Sequence, residues 1–122
     1  MLGMHFSKLK IWERGLDLAQ VIYAMTKKLP KEELYGLVSQ MRRAAVSIPS
    51  NIAEGSQRTT DRDFANFVLI ARGSLAELQT QLLLCRKLGY VADEEAKKIL
   101  VSIDELSRML HSFHSKLTAQ SS

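Results

Sequence analysis

The chain has 122 residues, the length of one domain with a substantial hydrophobic core. Hydrophobic residues make up 46% and charged residues 25%, a balance typical of globular proteins and not of disordered chains. The net charge of +4 permits a polyanionic partner such as nucleic acid without requiring one.

Targeting and redox features are sparse in this sequence. No apolar run approaches the roughly 18 residues of a membrane span, and the start of the chain lacks the apolar core of a secretory signal. Cys85 is the single cysteine, which excludes an intrachain disulfide and suits a reducing compartment. We therefore expect a soluble, cytoplasmic protein without a membrane partner.

Apolar residues recur at steps of three and four along most of the chain, which is typical of amphipathic helices. The pattern breaks near Pro30, Thr59 and Gly89. It predicts four helices over about residues 8–29, 32–57, 61–88 and 93–117, the first starting after Ser7 as its N-cap. Because the connections are short, we predict one all-α domain over residues 1–122, an antiparallel up-down-up-down four-helix bundle.

Pro49 lies inside the second predicted helix. It has no N–H to donate to the carbonyl of Ala45, so the helix should kink or break there. The apolar spacing resumes at Ile52, four residues after Ile48. We therefore predict a kink at Pro49 in a continuous helix.

Motifs for catalysis or cofactor binding are missing from the sequence. It contains no phosphate-binding glycine loop and no nucleophile elbow. His111 and His114 share a helix face, but no carboxylate or cysteine motif accompanies them, so they are interpreted as surface histidines. Cys85 lies on an apolar stripe and should be buried. We predict no enzyme activity, no metal and no cofactor.

A polar stripe on the second helix is expected to face the third helix. Ser47, Asn51 and Glu54 follow helical spacing, and Ser74 and Glu77 are expected opposite them. The favoured interpretation is a structural hydrogen-bonded network that sets the helix register. The alternative is a ligand pocket, or an acid/base pair formed by the two glutamates.

Basic residues lie around the central stretch and at the start of the chain. In an up-down bundle, the start of the first helix and the turn between the second and third helices share one end. The candidates for phosphate contact are Lys8, Lys10, Arg42, Arg43, Arg58 and Arg62. The alternative is a scattered, solvated surface, and no aromatic residues alternate with the basic ones to indicate base stacking.

Several motifs resemble those of a known family, the four-helix bundle proteins of the 23S rRNA intervening sequence. The most specific is the run over residues 40–55. Further matching segments are residues 9–12, 30–37, 58, 63–64, 71–78 and 88–90. The resemblance implies a bundle that assembles as a homopentamer, and the family brings no secure biochemical activity with it.

This family is related in fold to the accessory variability protein of diversity-generating retroelements, a basic pentamer that binds nucleic acid and a reverse transcriptase. The relation implies a non-enzymatic homopentamer that binds RNA or DNA through its basic residues. The alternative is a scaffold that docks a protein partner, either an enzyme or a ribosomal component. A third hypothesis is an enzyme or ligand-binding bundle that uses Asn51, Glu54 and Glu77.

Overall fold

A computed structural model describes residues 5–121, with side chains for residues 5–119; residues 1–4 and 122 of the predicted domain lie outside this range. No strand occurs among the described residues. The four α-helices are α1 (Lys10–Thr26), α2 (Ser39–Ser56), α3 (Asp61–Lys87) and α4 (Asp93–Ser121). The predicted all-α four-helix bundle is confirmed.

Each helix packs on its neighbours in chain order, and α4 closes the bundle against α1. Between α2 and α3, the Cys85 thiol lies 3.6 Å from the Met41 sulfur, and Gly55 lies against Phe64. Residue numbers therefore rise along one helix as they fall along the other, the relation expected of antiparallel neighbours. The largest fully buried side chains come from all four helices, so the core runs through the centre of the bundle.

α1 begins two residues later and ends three residues earlier than the predicted range of 8–29. Phe6–Lys8 form a 3-10 turn and Leu9 is the extended N-cap residue, so the prediction of Ser7 as the N-cap was wrong. At the other end, Pro30 disfavours helical geometry at Leu29, which closes the helix early.

The segment before α2 is not the regular α-helix that its apolar spacing predicts. It consists of a 3-10 turn, Lys31–Glu33, and a π-helical turn, Leu34–Val38. At Gly36 the backbone leaves the helical region, with φ −109° and ψ −109°. A π-helical turn of this kind often marks a functional segment.

Glu33 holds this irregular segment to the turn between α3 and α4. One carboxylate oxygen accepts a hydrogen bond from the backbone N–H of Leu37 at 3.4 Å. The other accepts a hydrogen bond from the Tyr90 hydroxyl at 3.1 Å. Because this hydrogen bond and the charge of Glu33 favour the protonated phenol, the pKa of Tyr90 is raised.

Pro49 lies within α2, and helical residues continue on both sides of it. It packs against Gly15 of α1, where an added Cβ would lie 3.4 Å from the Pro49 ring. The missing side chain at Gly15 thus gives the proline ring room between the two helices. The kink at Pro49 stays a prediction.

The two ends of α3 are closed by side-chain and glycine caps. The Thr60 hydroxyl accepts a hydrogen bond from the backbone N–H of Asp63 at 3.1 Å. After the C-terminal end, Gly89 adopts φ 78°, and the N–H of Tyr90 donates to the carbonyl of Cys85 at 2.9 Å. This is a Schellman cap, and its left-handed residue favours glycine.

No helix among the described residues is both long enough and apolar enough to cross a membrane.

Candidate nucleic-acid interface

The predicted polar network is present only in part. The hydroxyls of Ser47 and Ser74 lie 2.8 Å apart and join α2 to α3. The amide nitrogen of Asn51 donates to the Ser47 carbonyl at 2.8 Å and to its hydroxyl at 2.9 Å. These three half-buried residues form the polar link between the helices.

The two glutamates do not belong to this link, contrary to the prediction. Glu54 is exposed and its carboxylate pairs with Arg58, four residues along, at 3.3 Å. Glu77 is also exposed and accepts a hydrogen bond from Gln81 on its own helix at 3.5 Å. Neither contact supports the acid/base pair considered as the alternative.

The Arg42 side chain of α2 packs against α1. Its guanidinium lies 4.6 Å from the centre of the Tyr23 ring and donates to the Thr26 hydroxyl at 2.9 Å. A second nitrogen donates to the carbonyl of Tyr23 at 3.4 Å. These contacts explain the half-buried position of Arg42 and fix its guanidinium against α1, while the side chain keeps its positive charge.

The six predicted basic residues fall into two groups. The turn Phe6–Lys8 contacts α2, and Gly15 lies against Ile48 and Pro49, so the start of α1 lies beside the end of α2. The first group, at this end, comprises Lys8, Lys10, Arg58 and Arg62. Arg42 and Arg43 lie about 24 Å further along α2, given the helical rise per residue. Four of the six thus lie at the same end of the bundle.

Arg58 is the most constrained member of the first group. Its guanidinium lies 4.6 Å from the centre of the Phe67 ring as well as pairing with Glu54. Asp61 and Asp63 lie in the first turn of α3 nearby, where carboxylates are favoured by the helix dipole. Lys8, Lys10 and Arg62 are exposed, and none of the ion pairs found among residues 5–119 involves them.

Sequence reasoning missed two basic residues on α4 that join Lys10. A groove of about 360 Å³ between α1 and α4 is lined by Lys10, Arg108 and Lys116. Its remaining lining residues are Ile11, Met109, Ser112 and Phe113. Arg108 pairs with Asp104 at 2.9 Å, while Lys10 and Lys116 are exposed. Three cations around one groove make a site with the charge to hold a phosphate group.

A larger groove, of about 760 Å³, runs along the outer side of α2. Tyr35 projects from the π-helical turn at its edge with 93% of its surface exposed. Leu34 and Val46, both exposed, add apolar surface, and Arg43 adds a positive charge. No pattern in the sequence indicates that these residues line one groove, which we call the α2 groove.

Cys85 is buried, as predicted. Burial, with a smaller contribution from the negative charge of Glu33, raises the pKa of the Cys85 thiol. We expect a thiol reagent to label the folded protein at least about tenfold more slowly than the urea-unfolded chain, since the reactive thiolate is scarce and shielded. With an aromatic disulfide as the reagent, the absorbance of the aromatic thiolate that it releases measures both labelling rates. Equal rates would contradict this burial.

The structure is thus a small helical bundle whose candidate binding residues line grooves on its outer surface. The chain belongs to the family described as 23S rRNA-intervening sequence protein, whose sequence model matches residues 7–112. This family membership confirms the resemblance carried by the central stretch.

A solved structure has the same fold. It is the crystal structure of a protein with unknown function from the S23 ribosomal protein family of Bacteroides thetaiotaomicron. The two chains superpose with a TM-score of 0.79 and 26% sequence identity, over 85% of this chain and 97% of the other. No curated protein matches the sequence.

Proposed function

We propose that this chain forms a homo-oligomer that binds nucleic acid, with RNA as the first candidate. The observation that carries the proposal is the convergence of Lys10, Arg108 and Lys116 on the groove between α1 and α4. Lys8 and Arg62 extend the positive surface toward the same end of the bundle. The family is described as 23S rRNA-intervening sequence protein, which motivates RNA as the first ligand to test.

The proposed contact is with the phosphate backbone. Lysine and arginine side chains neutralise phosphates without reading bases, so this surface positions a nucleic acid more than it selects a sequence. The less exposed residues of the groove, Ile11, Met109 and Phe113, are apolar, and the cations around them are exposed. The proposal includes no catalytic step.

The proposed oligomer is a ring, and the family resemblance favours five copies. Large apolar side chains are exposed on the π-helical turn, on α2 and on α3, namely Leu34, Tyr35, Val46, Leu69, Ile70 and Leu84. They support self-association, because soluble monomers rarely expose large contiguous apolar patches. A ring would present the basic groove once per copy. Several weak phosphate contacts would then act together on one nucleic acid.

Equilibrium binding to a fluorescently labelled structured RNA tests the proposal, with a duplex DNA of matched charge as comparison. We expect fluorescence anisotropy to rise with protein at about 50 mM salt and the affinity to fall steeply by about 200 mM. Native mass spectrometry of the same sample monitors assembly. No binding at low salt by an assembled protein would reject the proposed function.

A protein-interaction scaffold is the second candidate. The exposed Val21 lines a groove of about 260 Å³ between α1 and α4, and the exposed Val101 lies next to Ser102 of the same groove. This mixed polar and apolar surface continues from the basic groove along the same two helices, and its exposed valines suit a protein partner. Co-purification from the native host after nuclease treatment tests it. A partner that survives nuclease and is lost with Val21→Glu would support the scaffold, and loss of all partners on nuclease treatment would reject it.

A further inference from the structure

The structure places aromatic rings beside cations, although the two kinds of residue do not alternate in the sequence. Tyr23 of α1 and Tyr35 of the π-helical turn both line the α2 groove. Arg42 and Arg43 line the same groove. The packing of α2 on α1 therefore supplies a combination of rings and positive charges that the basic groove between α1 and α4 does not have in tyrosine form.

A second groove, of about 340 Å³, adjoins the α2 groove at the connection between α1 and α2. The two grooves share Leu34, Val38 and Arg42 as lining residues. Lys27 and Lys31, both exposed, add two positive charges to the second groove. Among the described residues, no carboxylate lines either groove. We call the two grooves together the α1–α2 track.

The cations of the α1–α2 track are not neutralised within the chain. None of the ion pairs found among residues 5–119 involves Lys27, Lys31 or Arg43. Arg42 is fixed against α1 by uncharged partners, so it also keeps its positive charge. The track thus carries four positive charges, which suit a polyanion better than a neutral protein surface.

Tyr35 is the aromatic residue that the fold does not use. It exposes 93% of its surface, and its ring makes no aromatic or cation–π contact with any residue from 5 to 119. Polar groups lie further along the same groove. Ser50 is exposed there, and Asn51 donates its amide hydrogens to Ser47, which leaves its carbonyl oxygen as an acceptor.

We propose that the α1–α2 track binds unpaired nucleotides, with a base stacked on Tyr35 and neighbouring phosphates at Arg43 and Lys31. Aromatic platforms beside cations bind single strands in this way, because every base has a π-face and every nucleotide a phosphate. From Val38 to Asn51 the α2 groove follows about 20 Å of helix, the length of about six stacked nucleotides.

This inference rests on the proposed function and adds a second site to it. The track shares no lining residue with the groove between α1 and α4, so the two sites can be changed separately. A nucleotide and a neighbouring copy of the chain cannot both cover Tyr35. The inference therefore assigns Tyr35, unlike the other exposed apolar side chains, to the nucleic acid, and it requires the ring to stay accessible after assembly.

A single-stranded RNA and a duplex RNA without unpaired bases separate the two sites. Tyr35→Leu removes the ring but keeps an apolar side chain, so we expect it to weaken binding of the single strand by about tenfold and to leave duplex binding unchanged. Tyr35→Phe keeps the ring and is the matched control, with nearly wild-type affinity for both RNAs. Fluorescence anisotropy measures all of these affinities at one salt concentration.

Tyrosine labelling tests whether the ring is accessible. The assembled protein is treated with a phenol-reactive reagent, and mass spectrometry measures labelling at each tyrosine. We expect Tyr35 to react without RNA and to be protected by the single strand. Tyr90, whose hydroxyl donates to Glu33 on another part of the surface, should react equally in both samples.

Three results would overturn the inference: unlabelled Tyr35 in the assembled protein without RNA, wild-type affinity of Tyr35→Leu for the single strand, or an equal loss on the duplex. In each case duplex binding by the wild-type protein would leave the proposed function standing. Failure of the wild-type protein to bind either RNA would reject the proposed function and this inference with it.

Discussion

Lys10→Glu combined with Lys116→Glu is expected to weaken RNA binding by about tenfold or more at moderate salt. Both side chains are exposed and line the same groove, so their reversal turns the proposed phosphate site from positive to negative. Each lost phosphate contact should also reduce the slope of log affinity against log salt by about one. Anisotropy titrations of the double variant at several salt concentrations measure both effects.

The double variant Lys97→Glu with Lys98→Glu is the control for this effect. It makes the same type of charge change on α4, but about 28 Å along the helix from Lys116. Two such changes elsewhere on the surface alter the net charge without touching the groove, so Lys97→Glu with Lys98→Glu should keep nearly the wild-type salt slope. If both double variants lost affinity and slope equally, overall charge and not the groove would be responsible.

Gly55→Ala is expected to destabilise the bundle by about 1–2 kcal/mol after the gain in helix propensity is subtracted. An added Cβ would lie 2.7 Å from the Phe67 Cβ and 2.8 Å from a ring carbon of Phe64. Phe64 is completely buried and the Cβ of Phe67 is fixed to its backbone, so α2 and α3 would have to separate. This cost exceeds the gain of about 1 kcal/mol that alanine normally brings to a helix interior. Urea unfolding followed by circular dichroism measures the change.

Gly15→Ala provides the comparison within the same fold. Its added Cβ would lie 3.3 Å from a methyl group of Ile48, a contact that a shift of a few tenths of an ångström relieves. We expect its stability to stay within about 1 kcal/mol of wild type. Both variants are compared at one protein concentration, since the proposed assembly would contribute to stability. Equal losses at Gly55 and Gly15 would contradict the tight α2–α3 contact.

The helices and their order were predictable because their apolar spacing reports directly on which face is buried. Two of the helix ends were also predictable, since Thr60 and Gly89 act through local hydrogen bonds and backbone angles. The π-helical turn over Leu34–Val38 was not. Its apolar residues keep an α-helical spacing, which does not report the hydrogen bonds that Glu33 accepts from Leu37 and from Tyr90 in a distant turn.

The site was less predictable because it depends on how the helices are rotated against each other. The sequence placed Arg42 among exposed phosphate ligands, yet its partner Tyr23 comes from another helix. Lys116 was overlooked because its place beside Lys10 depends on the level and rotation of α4 against α1, which the up-down topology alone does not set. The serine link was predictable from shared spacing on two facing helices, whereas Glu54 found its partner one turn away on its own helix.

The most direct test of the central claim is lysine protection by bound RNA. The assembled protein is treated with an amine-reactive reagent with and without a structured RNA, and labelling at each lysine is read by mass spectrometry. We expect RNA to protect Lys10 and Lys116, while Lys97 reacts equally in both samples. Unchanged labelling of Lys10 and Lys116 under conditions where RNA is bound would contradict it.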